Sequence, residues 1–335
     1  MRNPAMKDER CLGRALAREV VPIAIFAFLA MAPLAAAFGA ENYLLGLLIR
    51  VMIFAIAALG LDLIIGFGGL VSFGHAAFVG IGAYAVGILA AHGWTDLVVS
   101  LPAALGAAAL FAYATGLVCV RTQGVYFIMI TLAFGQMAFF IASSLAAYGG
   151  DDGLTIHARS TVFGVPLFAH ERSLYYVVFA SLLGAYLLCR VIVRSPFGWV
   201  FRGARENPVR IAALGFDVRR FQLVGYVISG AFGGLAGLLL ANANNFVSPA
   251  FMSWQRSGEL IIMVLLGGLG SFHGAIIGAA AFLLLEEWLS GLTEHWKIAF
   301  GPILVLVAIA GSGGLLGLAG RIAARWRGKL SRSGI

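Results

Sequence analysis

Apolar runs of about 20 residues, the length that crosses a bilayer core, recur along most of this sequence. They cover residues 21–40, 44–65, 70–91, 97–119, 125–147, 173–193, 220–242 and 298–318. A soluble domain is about 25% charged and about 45–50% apolar, whereas this chain is 11% charged and 61% hydrophobic. Polar groups are too few to cover the surface of a soluble globule of 335 residues, so a soluble globular enzyme is excluded. The fold class expected is all-α, a polytopic membrane helix bundle.

A further stretch, 257–289, is too long for one ordinary span and is interrupted by Gly267, Gly268 and Gly270. Charge decides how to divide it. Seventeen of the 23 basic residues fall in three clusters: the first 20 residues, the segment from Arg190 to Arg220, and the tail from Arg321 onward. Cytoplasmic segments carry such an excess. One helix over 257–289 would put the two basic ends on opposite faces; splitting it at the glycines gives about ten transmembrane or re-entrant segments and both termini cytoplasmic. The first piece, 257–270, spans only about 21 Å as a helix. A short or re-entrant helix is expected there, tolerated at membrane depth where protein buries it. The division is then a cytoplasmic basic arm (1–20), a transmembrane domain (21–320) and a cytoplasmic basic tail (321–335), in a bacterial-type inner membrane. The run 21–40 exceeds the usual signal-peptide core and reads as a retained span.

The glycines have an internal echo: Gly68-Gly69-Leu70-Val71-Ser72-Phe73 resembles Gly267-Gly268-Leu269-Gly270-Ser271-Phe272. Paired glycine-interrupted segments point to a transport pathway between repeats; two unrelated membrane turns are the alternative. Gly230 with Gly234, Gly233 with Gly237 and Gly274 with Gly278 have the small-xxx-small spacing of close helix contacts. The three cysteines, Cys11, Cys119 and Cys189, form no disulfide framework.

The segment 195–215 is the most informative. Asn207 is an N-cap residue, Pro208 suits the first helical position, and Gly215 can take the left-handed stop. A two-turn helix over 208–214 follows, with Val209, Ala212 and Ala213 on one face. Helices this short do not stand alone in water, so this one packs on its own domain or docks a motor. A phosphate-binding loop needs Lys followed by Ser or Thr, but the lysines precede Asp8, Ile298 and Leu330. The chain therefore lacks its own Walker-type site. Ionisable residues near helix breaks are Asp62, His75, Glu259 and His273, a thin basis for a proton relay. No clustered set with metal or nucleophile spacing is present, and basic tails in so apolar a chain do not indicate nucleic acid.

Several stretches in order resemble the permease subunits of branched-chain amino-acid ABC importers, specifically the M-type subunit. They are Gly60-Leu61-Asp62-Leu63 continuing through Ser72-Phe73-Gly74-His75-Ala76; Arg121-Thr122-Gln123-Gly124-Val125-Tyr126 leading to Thr131 and Gln136; Tyr148-Gly149-Gly150-Asp151-Asp152-Gly153; the 195–215 loop; and Phe246-Val247-Ser248-Pro249 through Gly258-Glu259 to Ser271. The family often has Gln where His75 stands.

The resemblance implies a non-catalytic membrane subunit without cofactor or metal, translocating branched-chain or related hydrophobic amino acids. It would pair with a second, related permease, two cytosolic ABC ATPases and an external solute-binding protein. The loop 194–219 would couple to the ATPases, with Arg202, Arg205, Glu206, Asn207, Val209, Ala212, Leu214 and Gly215 as candidate contacts; loop packing is the alternative, and for the arginines membrane lipid. Ser72, Phe73, His75, Thr131, Gln136 and Glu259 are pathway candidates, against ordinary interhelical hydrogen bonding. Asp151 and Asp152 would meet the binding protein or cap their turn. Alternatives are the same architecture importing urea, short amides or aromatic acids, and an ion-coupled secondary transporter.

Overall fold

A backbone in lipid must satisfy its own hydrogen bonds, and long apolar runs do so as helices. The computed structural model describes residues 21–33, 41–156, 159–162, 168, 170–292 and the isolated positions 295, 298, 300–302 and 314. Its helices are α1 (Val21–Pro33), α2 (Glu41–Asp62, prolonged by a π-helical turn Leu63–Phe67), α3 (His75–Ala91), α4 (Leu97–Cys119), α5 (Val125–Ser144) and α6 (Glu171–Arg194). Then come α7 (Pro196–Glu206), α8 (Pro208–Ala213), α9 (Val218–Asn244), α10 (Trp254–Gly267) and α11 (Phe272–Ser290). Among the described residues six helices are long and apolar enough to cross a membrane, the second being Leu97–Cys119 and the fifth Val218–Asn244. The basic arm, the basic tail and nearly all of the 298–318 run lie outside the described residues.

The break expected near Gly267 is present. α10 ends there, Gly268 and Gly270 take positive φ of 109° and 75°, and α11 starts at Phe272. The 70–91 run, in contrast, does not form one helix, because α3 starts only at His75. Residues 68–74 form no helix, and neighbours satisfy the backbone there. Leu70 N donates to the Ile64 carbonyl at 2.9 Å, and Phe73 N donates to Thr131 Oγ1 at 3.1 Å. Below the break, Ala76 N donates to Ser257 Oγ at 3.1 Å.

The centre of the bundle is α9, which packs on α2, α3 and α4. Its small residues divide by face. Gly230 and Gly234 abut Ala112, Ala108 and Ala104 of α4, while Gly233 and Gly237 abut Phe78, Val79 and Ala83 of α3. A side chain at Gly237 would run into the Val79 carbonyl oxygen. Gly237→Val is therefore expected to force α9 from α3 at a cost of about 1–3 kcal/mol, read as a lower thermal midpoint of detergent-solubilised protein. Gly106→Ala is the control, since nothing lies within 4 Å of a Cβ built at Gly106.

At the end of the bundle away from α7 and α8, a two-residue antiparallel ribbon pairs β1 (Leu154–Thr155) with β2 (Phe246–Val247). It is a small departure from an all-α chain. Ser160 N donates to Asn242 Oδ1 at 2.8 Å, which fixes the same loop to the end of α9.

Candidate functional site

At the α7–α8 end, local chemistry builds a surface. Ser195 and Pro196 open α7, whose buried face carries Gly198, Phe201 and Ala204. The Phe201 ring is wedged against Gly68 of the first break and Gly225 of α9. Phe197 stacks between Phe201 and Phe221, with ring centroids 5.6 and 5.5 Å apart. α7 thus lies fixed on the bundle, with Trp199 outward and the Arg202 guanidinium 5.7 Å from its ring centroid.

α8 follows without a spacer. Asn207 Oδ1 accepts from Arg210 N at 2.9 Å, Pro208 occupies the first turn, and Gly215 takes φ 90°. The last helical residue is Ala213, with Leu214 as the cap. Ile211 turns inward onto Gly203, but Val209 is 77% and Leu214 66% exposed, and Ala212 and Ala213 are exposed beside them. Arg202, Arg205, Glu206, Asn207 and Arg210 are exposed as well. An open apolar groove between Trp199, Val200, Ile211 and Phe216 runs next to α8. A six-residue helix held to α7 through Ile211 while Val209, Ala212, Ala213 and Leu214 stay open to solvent has only part of the packing that a helix this short needs within the described residues.

Arg205 sits differently from the other arginines. Its Nη1 donates to the Gly66 carbonyl in the π-helical turn, and its side chain covers Gly69. On the same spot Asp62, fully buried, accepts from Gly270 N through Oδ1 at 2.8 Å. Arg205 lies within Coulombic reach of that carboxylate. The two glycine breaks that echo each other in sequence therefore meet, joined by Asp62 and touched by the residue that leads into α8. Sequence reasoning singled out both breaks and Asp62 but not their contact, which spans 208 positions.

The other candidates group around the first break. Ser72, His75 and Thr131 are buried, and Phe73 is half-buried with its ring 3.7 Å from a Cβ built at Gly258. The His75 ring meets the Phe78 ring edge-on at 5.2 Å. Glu259 pairs with Arg256 at 2.6 Å on α10. Gln136 is half-buried further along α5. Asp151 and Asp152 are exposed in a 3-10 turn at the ribbon end, away from this group. Two charged residues escaped the sequence reading: Arg50 within α2 and Glu286 within α11, whose side chains approach at 3.9 Å. A single arginine inside an apolar run was the signal available, since ionisable groups at membrane depth mark functional positions.

Comparison with known proteins fits this geometry. The family model described as branched-chain amino acid transport system / permease component matches residues 43–312. The high-affinity branched-chain amino acid transport system permease protein LivM of Escherichia coli is 28% identical over 288 residues, covering 79% of this chain and 68% of that protein. The corresponding LivH of Escherichia coli is 22% identical over 285 residues, 79% of this chain and 91% of LivH. A probable LivM of Methanocaldococcus jannaschii is 30% identical over 128 residues, 38% of this chain and 37% of that protein. No solved structure matches. The multi-pass helical bundle, its paired breaks and the matched 43–312 segment together place this chain in the branched-chain amino acid transport permease family.

Proposed function

We propose that this chain is the M-type membrane half of an ATP-driven importer that carries apolar, branched-chain amino acids inward. The observation that carries the reading is α8, a capped six-residue helix whose apolar face is exposed at one end of a membrane bundle. A nucleotide-hydrolysing partner seated there would supply the energy, since no phosphate-binding loop occurs in the sequence. Similarity to both LivM and LivH supports pairing with a second, related permease. The three basic clusters favour α7, α8 and both termini on the cytoplasmic side. Asp151 and Asp152, at the opposite end, would then meet a solute-binding protein.

The mechanism proceeds through the contacts above. Closure of two ATPases moves α8; α7 follows because Asn207 caps one helix and ends the other. Arg205 carries the displacement to Gly66, and Asp62 carries it on to Gly270, shifting both breaks together. The test is reconstitution with a LivH-type permease, two ATPases and a solute-binding protein in liposomes. Leucine uptake is expected to require ATP and to survive a protonophore, and the purified single chain is expected to hydrolyse no ATP. Uptake that collapses with the protonophore while ATP remains would establish an ion-coupled carrier instead.

A further inference from the structure

Near the ribbon end, α2, α3, α9 and α10 line a partly open cavity of about 200 Å³ whose wall holds Arg50, Arg256 and Asn244 together with apolar side chains. Arg50 lies about 14 Å along α2 from its start, and a charge at such depth is costly unless it serves a pathway or a ligand. Each arginine is backed by a carboxylate. Arg256 Nη1 is 2.6 Å from Glu259 Oε2, and its guanidinium carbon is 5.9 Å from the Phe54 ring centroid. Arg50 Nη2 is 3.9 Å from Glu286 Oε1, beyond hydrogen-bond length. The other oxygen of Glu286 is buried without a hydrogen-bond partner.

Two features set this apart from plain ion pairing between helices. A pair that only tied α2 to α11 would gain by closing to hydrogen-bond distance, yet the gap stays open beside a cavity. The two arginines and the two half-buried glutamates behind them sum to zero, so a net-neutral zwitterion keeps the cluster balanced, whereas an anion would not. An uncharged amide such as urea could hydrogen-bond to these groups but would bring no charge to them, and the apolar wall would stay unfilled. Resting on the import reading above, we infer that this cavity is a transit site for a zwitterionic α-amino acid with an apolar side chain. Arg50 and Arg256 take the carboxylate, the side-chain oxygen of Asn244 on the same wall accepts from the ammonium group, and Phe54, Leu240 and Leu260 receive the side chain.

The experiment uses photo-leucine, the diazirine analogue of leucine, on the assembled importer in liposomes, followed by peptide mapping. Labelling is expected on peptides containing Phe54, Leu240 or Leu260, displaced by excess leucine but not by 3-methylbutylamine, which lacks the carboxylate. Arg50→Gln should lower that labelling about tenfold, the worth of one charge-assisted hydrogen bond, and Arg50→Lys should restore part of it. Leu240→Trp fills the space and should remove both label and uptake while the ATPases still co-purify. Labelling confined to other segments, or wild-type uptake by Leu240→Trp, would overturn the site and leave ATP-driven import standing. A wild-type assembly that takes up no leucine with ATP present would remove the import reading and the site with it.

Discussion

Ala212→Glu is expected to abolish ATP-driven uptake while the chain still inserts and folds. Ala212 is exposed on α8, so a carboxylate there is solvated in the isolated subunit and costs little. In a docked assembly the same carboxylate is enclosed beside Val209 and Ala213 without a partner. An uncompensated buried charge costs about 3–5 kcal/mol, more than a rim contact contributes. Gly215→Val should act in the same direction through the backbone, because Gly215 holds φ 90° and a β-branched residue is strained there. Co-purification of the ATPases and substrate-stimulated hydrolysis are the readouts. Wild-type assembly and transport by Ala212→Glu would reduce α8 to a connector.

The second large effect is expected at Asp62 and Arg205, with a different signature. Asp62→Ala leaves the half-buried Gly270 N–H without its acceptor, a loss of about 1 kcal/mol. Arg205→Ala removes the donor to the Gly66 carbonyl. Neither residue lies within α8, so the ATPases should still bind and hydrolyse. Uptake per ATP should fall, by about tenfold for each 1.4 kcal/mol lost from the linkage. Asp62→Asn keeps an acceptor oxygen and should be milder than Asp62→Ala. The double variant should be little worse than the more severe single one, because both break one chain of contacts. Additive losses, or an unchanged ratio of uptake to hydrolysis in both single variants, would show that the two contacts hold structure only.

Local chemistry was legible in the sequence, and distant geometry was not. Asn207, Pro208 and Gly215 announce α8 because capping and the left-handed stop are decided within a few residues. The break at Gly267 to Ser271 was legible from glycine spacing and charge balance. The start of α3 was misread because Leu70, Val71 and Phe73 are as apolar in a non-helical segment as in a helix. Only Thr131 and Gly74, brought close by tertiary packing, reveal why the helix waits until His75. Arg50 was passed over for a related reason: hydropathy averages a lone charge into its run, and its partner Glu286 is over two hundred positions away. The meeting of the two breaks at Asp62 depends on helix registers that no local pattern encodes.

α9 joins the two ends of the bundle by itself. It is 27 residues long, about 40 Å, leads out of α8 through a four-residue turn, and ends in the strand that clamps the opposite loop. A rod of that length is a lever: tilting it by about 5° about its middle swings each tip by nearly 2 Å in opposite directions. The glycine-to-alanine contacts on its α4 flank present little to interlock against such rocking, while on the other flank α3, close-packed against Gly233 and Gly237, would tilt with it. A push at one membrane face would therefore arrive at the other as a displacement of the ribbon and of the turn holding Asp151 and Asp152, without passing through a relay of side chains.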